Sequence, residues 1–377
     1  MQGIIEKIKN TIKGLFASNG TVHGSVVGLD IGASAIKVVQ IKKENNKAVL
    51  ETYGSIALGP FLKTEVGKPI ALTPEIIAQS VVQLFKESGI SGTTVQCVIP
   101  TYSALVFVLS IPVSIPTTSF KDVVPTEARK YIPVPIEEVT LDWFLLPKKD
   151  VFDMSAQESK EVVEEKNEVL VVAIHNEAIK RYQDGLAQAQ VESSSFEVEA
   201  FSQVRAILTH ELAPVVVVDV GASKTKIAIV EYGIVKSTHI VNKGGADFTN
   251  AIKESMEVNF AQAENWKRDY GLNSDGRGEE VAKAIMPSVD FILSEINTAM
   301  IQYERTSNRS INKVFLTGGG VLVKGFTEKA YDYLRTETVL GNPFYKVDAP
   351  AFLAPTLLTI GPEFSGAIGI ALRALDS

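Results

Sequence analysis

Apolar residues along this chain recur with two different periods, and the switches between them mark its elements. From Val26 to Ile56, β-branched residues run in blocks broken by glycine and by "KENNK", which reads as strands joined by a hairpin turn. The period then becomes helical. Thr73 is placed to cap a helix, Pro74 to fill its first position, and Ile77, Val81, Leu84 and Phe85 to line one face. "TVQCVIP" is a further strand. Residues 102–189 read as a small α+β unit of their own, with strands around "ALVFVLSI", "VTLDWFLL" and "VLVVAIH" and helices over 119–131 and 177–188. The charged segment "PKKDVFDMSAQESKEVVEEKNE" between the last two strands has no apolar period and is expected to be a mobile hairpin loop.

The second half starts over. A strand hairpin over 215–235 follows Pro214, then helical regions over 246–268 and 279–306. Ile285, Val289, Ile292, Ile296, Met300 and Tyr303 form one stripe, which predicts a core face. "KVFLTGGGVLVKGF" is a strand entering a glycine loop, with a helix from about Thr327, and "GPEFSGAIGIALRAL" is a loop entering an apolar helix. At the other end, Ile4, Ile8, Ile12, Leu15 and Phe16 recur at helical spacing among Lys7, Lys9 and Lys13. That segment reads either as a tail helix packed on its own domain or a neighbouring subunit, or as a helix for a membrane surface or a partner.

The two halves begin alike. "VVGLDIGASAIKVVQI" (26–41) and "VVVVDVGASKTKIAIV" (215–230) share D-[IV]-G-A-S-x-x-K. In each, a strand ends at an aspartate, turns through Gly-Ala-Ser and returns as a strand. Gly32 and Gly221 are expected to supply backbone angles that other residues resist. Ala33, Ser34, Ala222 and Ser223 are small enough to let an anion reach the backbone amides, and the serines add hydroxyl donors. Asp30 and Asp219 would repel phosphate directly, so their expected role is to hold water around a magnesium ion. Two copies predict two hairpins gripping one polyphosphate from both sides of a cleft. Gly318, Gly319 and Gly320 would let a purine and its ribose lie against the backbone, and Gly244 and Gly245 precede a helix suited to enclosing them. Neither a dinucleotide fingerprint nor a Walker loop occurs at these places.

Composition narrows the partners. A net charge of −7 argues against nucleic acid, which needs a basic face. The single cysteine, Cys97, sits in an apolar run and reads as a small buried hydrophobe; one cysteine cannot form an intrachain disulfide, which fits a reducing cytoplasm. Charges interrupt the apolar N-terminus, so no secretory signal is expected. The uncharged stretch 88–120 is broken by Pro100, Pro112 and Pro116 and is too short for a membrane span.

The order of phosphate hairpin, insertion, phosphate hairpin, helical insertion and glycine loop resembles the actin-like ATPase superfamily. Within it, "EARKYIPVPIEEVTLDWFLL" (127–146), "GGADFTNAIKESMEVNFAQAENWKRDYGL" and "LTGGGVLVKGF" resemble the PilM family of type IV pilus assembly proteins, relatives of FtsA. The resemblance runs from about Val26 to the C-terminus. It implies an α/β, actin-like fold of two duplicated RNase H-like domains with an inserted SHS2-type subdomain. The implied parts are an amphipathic segment (1–24), a first domain (25–101 plus 190–212), the insertion (102–189), a second domain (213–243 plus 310–377) and a helical subdomain (244–309).

It also implies ATP with Mg2+ in the cleft, on Gly32, Ala33, Ser34 and Lys37, on Asp219, Gly221, Ala222 and Ser223, and on Gly318, Gly319, Gly320 and Leu322. "FEVEAFSQVRAI" resembles the helix connecting the domains, with Glu199 the candidate for positioning an attacking water and Glu197 behind it. Pro125 falls where the first inserted helix of the family runs on, so that helix is expected to be kinked or to start late. The implied partners are the cytoplasmic N-terminal tail of PilN, an inner-membrane protein, and other pilus assembly proteins. The implied place is the cytoplasmic side of the inner membrane, with residues 1–20 a further contact to its surface. The function expected is a nucleotide-dependent scaffold whose hydrolysis is slow or incidental. The alternatives are an FtsA-like membrane-associated filament former and a small-molecule kinase of the same superfamily, although the first half offers no evident acceptor-site aspartate.

Overall fold

The computed structural model describes residues 24–147, 166–209, 211–273 and 275–375. The amphipathic N-terminal segment and most of the charged segment predicted as a hairpin loop lie outside them. In chain order the first half holds β1 (Ser25–Ile31), β2 (Ala35–Glu44), β3 (Lys47–Ala57), α1 (Pro74–Ser88), β4 (Thr94–Ile99), β5 (Ala104–Pro112), α2 (Phe120–Ala128), β6 (Val139–Leu145), β7 (Lys166–His175), α3 (Asn176–Gln188), β8 (Glu192–Val198) and α4 (Glu199–Ile207). The second holds β9 (Val215–Val220), β10 (Thr225–Glu231), β11 (Ile234–Val241), α5 (Gly245–Ser255), α6 (Phe260–Tyr270), α7 (Arg277–Ser307), β12 (Lys313–Thr317), α8 (Phe326–Leu334), β13 (Glu337–Leu340), α9 (Ala354–Ile360) and α10 (Ser365–Leu375).

Two five-stranded sheets repeat one topology. The first runs β3-β2-β1-β4-β8 and the second β11-β10-β9-β12-β13. In each, the opening three strands form an antiparallel meander, and the first strand then pairs in parallel with a later one. The "KENNK" turn is a tight hairpin in which Asn45 and Asn46 both take positive φ, 50° and 61°, a conformation asparagine tolerates. A third sheet, β5-β7-β6, carries α2 on one face, with Phe120, Val124 and Ala128 buried at helical spacing. Helix α2 starts at Phe120 and holds Pro125 inside it, ending at Ala128 rather than near Tyr131.

Helices α4 and α10 cross behind the cleft so closely that a Cβ on Gly369 would lie 1.8 Å from the Ser202 carbonyl oxygen. The stripe on α7 is buried in the second core, as its spacing predicts. An 18-residue stretch of that helix reaches a mean hydropathy of 1.2, which passes for a membrane span by length and composition alone, but its apolar stripe is part of this core.

Three further elements differ from the reading of the sequence. The helical region 246–268 is two helices, because the chain reverses at Glu257 (φ 52°) and Asn259 caps a new start, accepting from the Gln262 amide at 2.8 Å. Only the second part of "FEVEAFSQVRAI" is helical; Phe196–Val198 completes the edge strand β8, which pairs with β4. Strand β13 carries no strong pattern of its own and exists by pairing with β12.

Candidate functional site

The repeated motif folds the same way twice. In the first hairpin, Asp30 lies opposite Lys37 across β1 and β2; in the second, Asp219 lies opposite Lys226 across β9 and β10. The seven-residue spacing from aspartate to lysine is therefore a cross-strand pair, which places both side chains on one face. The turns are closed by Gly32 N–H donating to Ala35 O (3.1 Å) and Gly221 N–H donating to Lys224 O (3.0 Å).

Neither Gly32 nor Gly221 takes a positive φ. The expected reason for these glycines is thus corrected. What disfavours a side chain is space, since a Cβ on either would sit 3.0 Å from the carbonyl oxygen that closes its turn, an approach that the turn must yield to by a few tenths of an ångström. The carbonyls of Ala33, Gly221 and Ala222 are taken by the amides of Ile70, Gly245 and Ala246. Because N–H and C=O point oppositely in a trans peptide, the amides of Ser34, Ala222 and Ser223 face away from those neighbours.

The third loop closes on the second hairpin. Gly318 has φ 84°, and a Cβ there would meet Asp219 Oδ1 at 2.1 Å; one on Gly320 would meet Val220 Cγ1 at 2.4 Å. Here glycine is required both by backbone angle and by close approach. Gly244 precedes α5, and its own Cβ would lie 2.5 Å from Gly221 O, so it supports the turn from outside.

A cavity of about 540 Å³ opens between the two sheets. Of the residues expected there, Asp30, Gly32, Ala33, Ser34, Lys37, Glu199, Asp219, Gly221, Ala222, Ser223, Gly245, Gly318, Gly319, Gly320 and Leu322 line it, and Gly244 does not. Glu197 does not line it either. It faces the opposite side of the chain, where it is buried against Arg205 (2.6 and 2.7 Å) with Arg373 at 3.7 Å. Burial alone would raise its carboxyl, but the two guanidiniums hold it below the usual range.

At the cavity floor an ammonium is enclosed by carboxylates. Lys226 Nζ donates to Asp219 Oδ2 at 2.6 Å and to Glu199 Oε1 at 2.9 Å. Gln203 donates to the same Asp219 oxygen at 2.7 Å, and the Thr101 amide to the other Glu199 oxygen at 3.3 Å. Burial drives the Glu199 carboxyl up to about 8, aided by Asp219 and Asp30 against the pull of Lys226. Burial likewise raises Asp30, against Lys37 and Lys226. For Asp219, burial is outweighed by Lys226, and the carboxyl is held low. Burial would pull Lys226 down, yet its two carboxylate partners hold it above the usual lysine range.

Lys226, Gln203, Tyr102 and the α6 residues Glu264, Lys267 and Arg268 also line the cavity, and the sequence reading did not place them there. Lys226 could have been found, since the repeat itself pairs it with Lys37. Lys267 and Arg268 sat within the quoted "AENWKRDYGL" with nothing to show which side of the helix would face the cleft. Among the described residues no group of three or more histidine, cysteine, aspartate or glutamate side chains is placed to hold a metal directly.

A family profile described as type IV pilus assembly protein PilM matches residues 28–375. A solved PilM-PilN type IV pilus biogenesis complex is similar over 93% of this chain and 98% of that chain, at 26% identity and a TM-score of 0.77. The ethanolamine utilization protein EutJ from Carboxydothermus hydrogenoformans is similar over 99% of both chains, at 16% identity and a TM-score of 0.55, a likeness of fold. The duplicated sheets with their facing hairpins are the actin-like ATPase fold. With its profile covering nearly the whole described chain, this protein belongs to the type IV pilus assembly protein PilM family.

Proposed function

We propose that the chain is an ATP-binding scaffold of type IV pilus assembly, held on the cytoplasmic side of the inner membrane by the N-terminal tail of a PilN-type protein. The observation that carries the nucleotide half is the cavity itself: both hairpins and the glycine loop converge on it. Its volume falls within the range of about 300–1,000 Å³ typical of small-molecule sites. The residues present fit a polyphosphate, because turns of small residues leave the amides of Ser34, Ala222 and Ser223 approachable, and Lys37 adds positive charge. The purine and ribose would lie against Gly318–Gly320 beneath α6. Magnesium, when bound, would neutralise phosphate charge. Asp30 would hold it through water, whereas Asp219 Oδ2 already accepts from Lys226 and Gln203. Glu199 remains the candidate for positioning water, and its bond to Lys226 favours slow hydrolysis over rapid turnover.

The partner half rests on family membership and on the 26% identical relative solved as a PilM-PilN complex. The tail would lie between the insertion (102–189) and the first domain, with other pilus assembly proteins as further partners. Residues 1–20 are the segment proposed to meet the membrane surface. Thermal unfolding with and without Mg-ATP tests the nucleotide half. A ligand held only by the folded chain, at about a hundredfold excess over its Kd, adds about 2.7 kcal/mol of stability. No shift at saturating Mg-ATP would sink that half; failure of a synthetic PilN tail to bind in a titration would sink the other.

A further inference from the structure

The repeat sets a lysine opposite each aspartate, but the two lysines end in different environments. Lys37 lines the cavity and makes no ion pair with a described residue. Lys226 is largely enclosed, its side chain 13% exposed, and is bonded at 2.6 Å to Asp219 and at 2.9 Å to Glu199. Gln203 completes the coordination of Asp219 Oδ2, and the Thr101 amide completes that of Glu199. The ammonium is therefore fixed by a built shell on the cleft floor.

Three acidic side chains, Asp30, Asp219 and Glu199, share that floor, and Lys226 holds Asp219 ionised among them. A polyphosphate lowered onto them meets strong repulsion unless positive charge lies between, and the repulsion grows as water is excluded. A magnesium ion is the usual remedy; it is held by few carboxylates and keeps several waters. Here the carboxylate best placed at the second hairpin already holds a cation that cannot diffuse away. Lysine is a compact charge with three donors, able to keep two carboxylate bonds and direct the third N–H outward.

Resting on the nucleotide reading above, we propose that Lys226 is the resident cation of this cleft. It stands between the carboxylates and the phosphates in place of a divalent ion, so that the chain binds ATP without magnesium. The affinity of this protein for ATP is then insensitive to free metal, and Lys37 and Lys226 close on the phosphates from the two hairpins.

The test is calorimetric titration of the full chain with ATP, in EDTA and in excess magnesium, for the wild type, Lys226→Met and Lys226→Arg. The wild type is expected to bind with affinities within about threefold of each other in the two buffers. Lys226→Met is expected to lose about tenfold or more in EDTA and to recover in magnesium, with Lys226→Arg close to wild type. Removing the ammonium leaves two carboxylates facing each other, so the double variant Lys226→Met with Glu199→Gln is measured alongside, and thermal unfolding without nucleotide checks that each is folded. Wild-type binding that appears only with magnesium overturns the inference and leaves the nucleotide site standing. A Lys226→Met protein, or its folded double variant, that binds ATP in EDTA as well as wild type also overturns it. No binding in either buffer removes the nucleotide site and this inference together.

Discussion

Single residues separate what holds the cleft together from what could act in it. Gly245 lines the cavity, and a Cβ there would have only ordinary contacts at 3.7 Å, to Gly221 O, Gly320 Cα and Lys267 Nζ. Gly245→Ala is therefore expected to fold with stability within about 1 kcal/mol of wild type. Its stabilisation by Mg-ATP should be clearly smaller, as read by differential scanning fluorimetry; an unchanged ligand shift would place the nucleotide elsewhere. Glu197 is the opposite case, a buried carboxylate outside the cavity. Its folded carboxyl lies below the ordinary 4.5, so its contribution to stability is present above that value and is lost as pH falls through the folded one. Glu197→Gln removes the carboxylate charge that faces Arg205 and Arg373 and should cost about 3–5 kcal/mol near neutral pH. It should also flatten the acid limb of stability below about pH 4.5, measured by urea unfolding across pH. A parallel downward shift at every pH would show that the group does not titrate as described.

At the scale of elements, caps and crossings carry the testable content. Asn259 starts α6, the helix that brings Glu264, Lys267 and Arg268 to the cleft. Losing such a cap costs about 1 kcal/mol, so Asn259→Ala should lower stability by that much in chemical denaturation; no loss would mean the cap bond does not form. The crossing of α4 and α10 is tighter. Gly369→Ala would force a Cβ into the Ser202 carbonyl and must push the two helices apart. A loss of at least about 1–3 kcal/mol is expected, read from the unfolding midpoint. Helix and strand types were largely legible in the apolar period, because burying a face demands a repeat. Thr73 does cap α1, and the α7 stripe is core. Breaks were not legible: Glu257 and Asn259 interrupt a sequence with continuous helical character, and β13 has strand geometry only because β12 lies beside it.

For the molecule as a whole, the proposed scaffold role requires that nucleotide and tail bind one closing body. Linkage then demands that any factor by which ATP changes tail affinity equal the factor by which the tail changes ATP affinity. Calorimetric titration of each ligand, with and without the other, checks both; a factor of one in both directions would mean the groove does not sense the cleft. The repeat of D-[IV]-G-A-S-x-x-K was enough to give the duplicated halves, the two hairpins and the cavity-lining positions within them, and the apolar run around Cys97 its burial, because a turn between strands and an apolar run are local in the chain. How the equivalent parts differ was set by contacts between segments far apart in the chain. Lys226 meets Glu199 because α4 starts beside the second hairpin, while no described ion pair forms at Lys37. The fold turned Glu197 away from the cleft, and it gave the glycines of both turns a spatial reason rather than an angular one. Charge pairing and close approach depend on residues far apart in sequence, and no local pattern records which of them will meet.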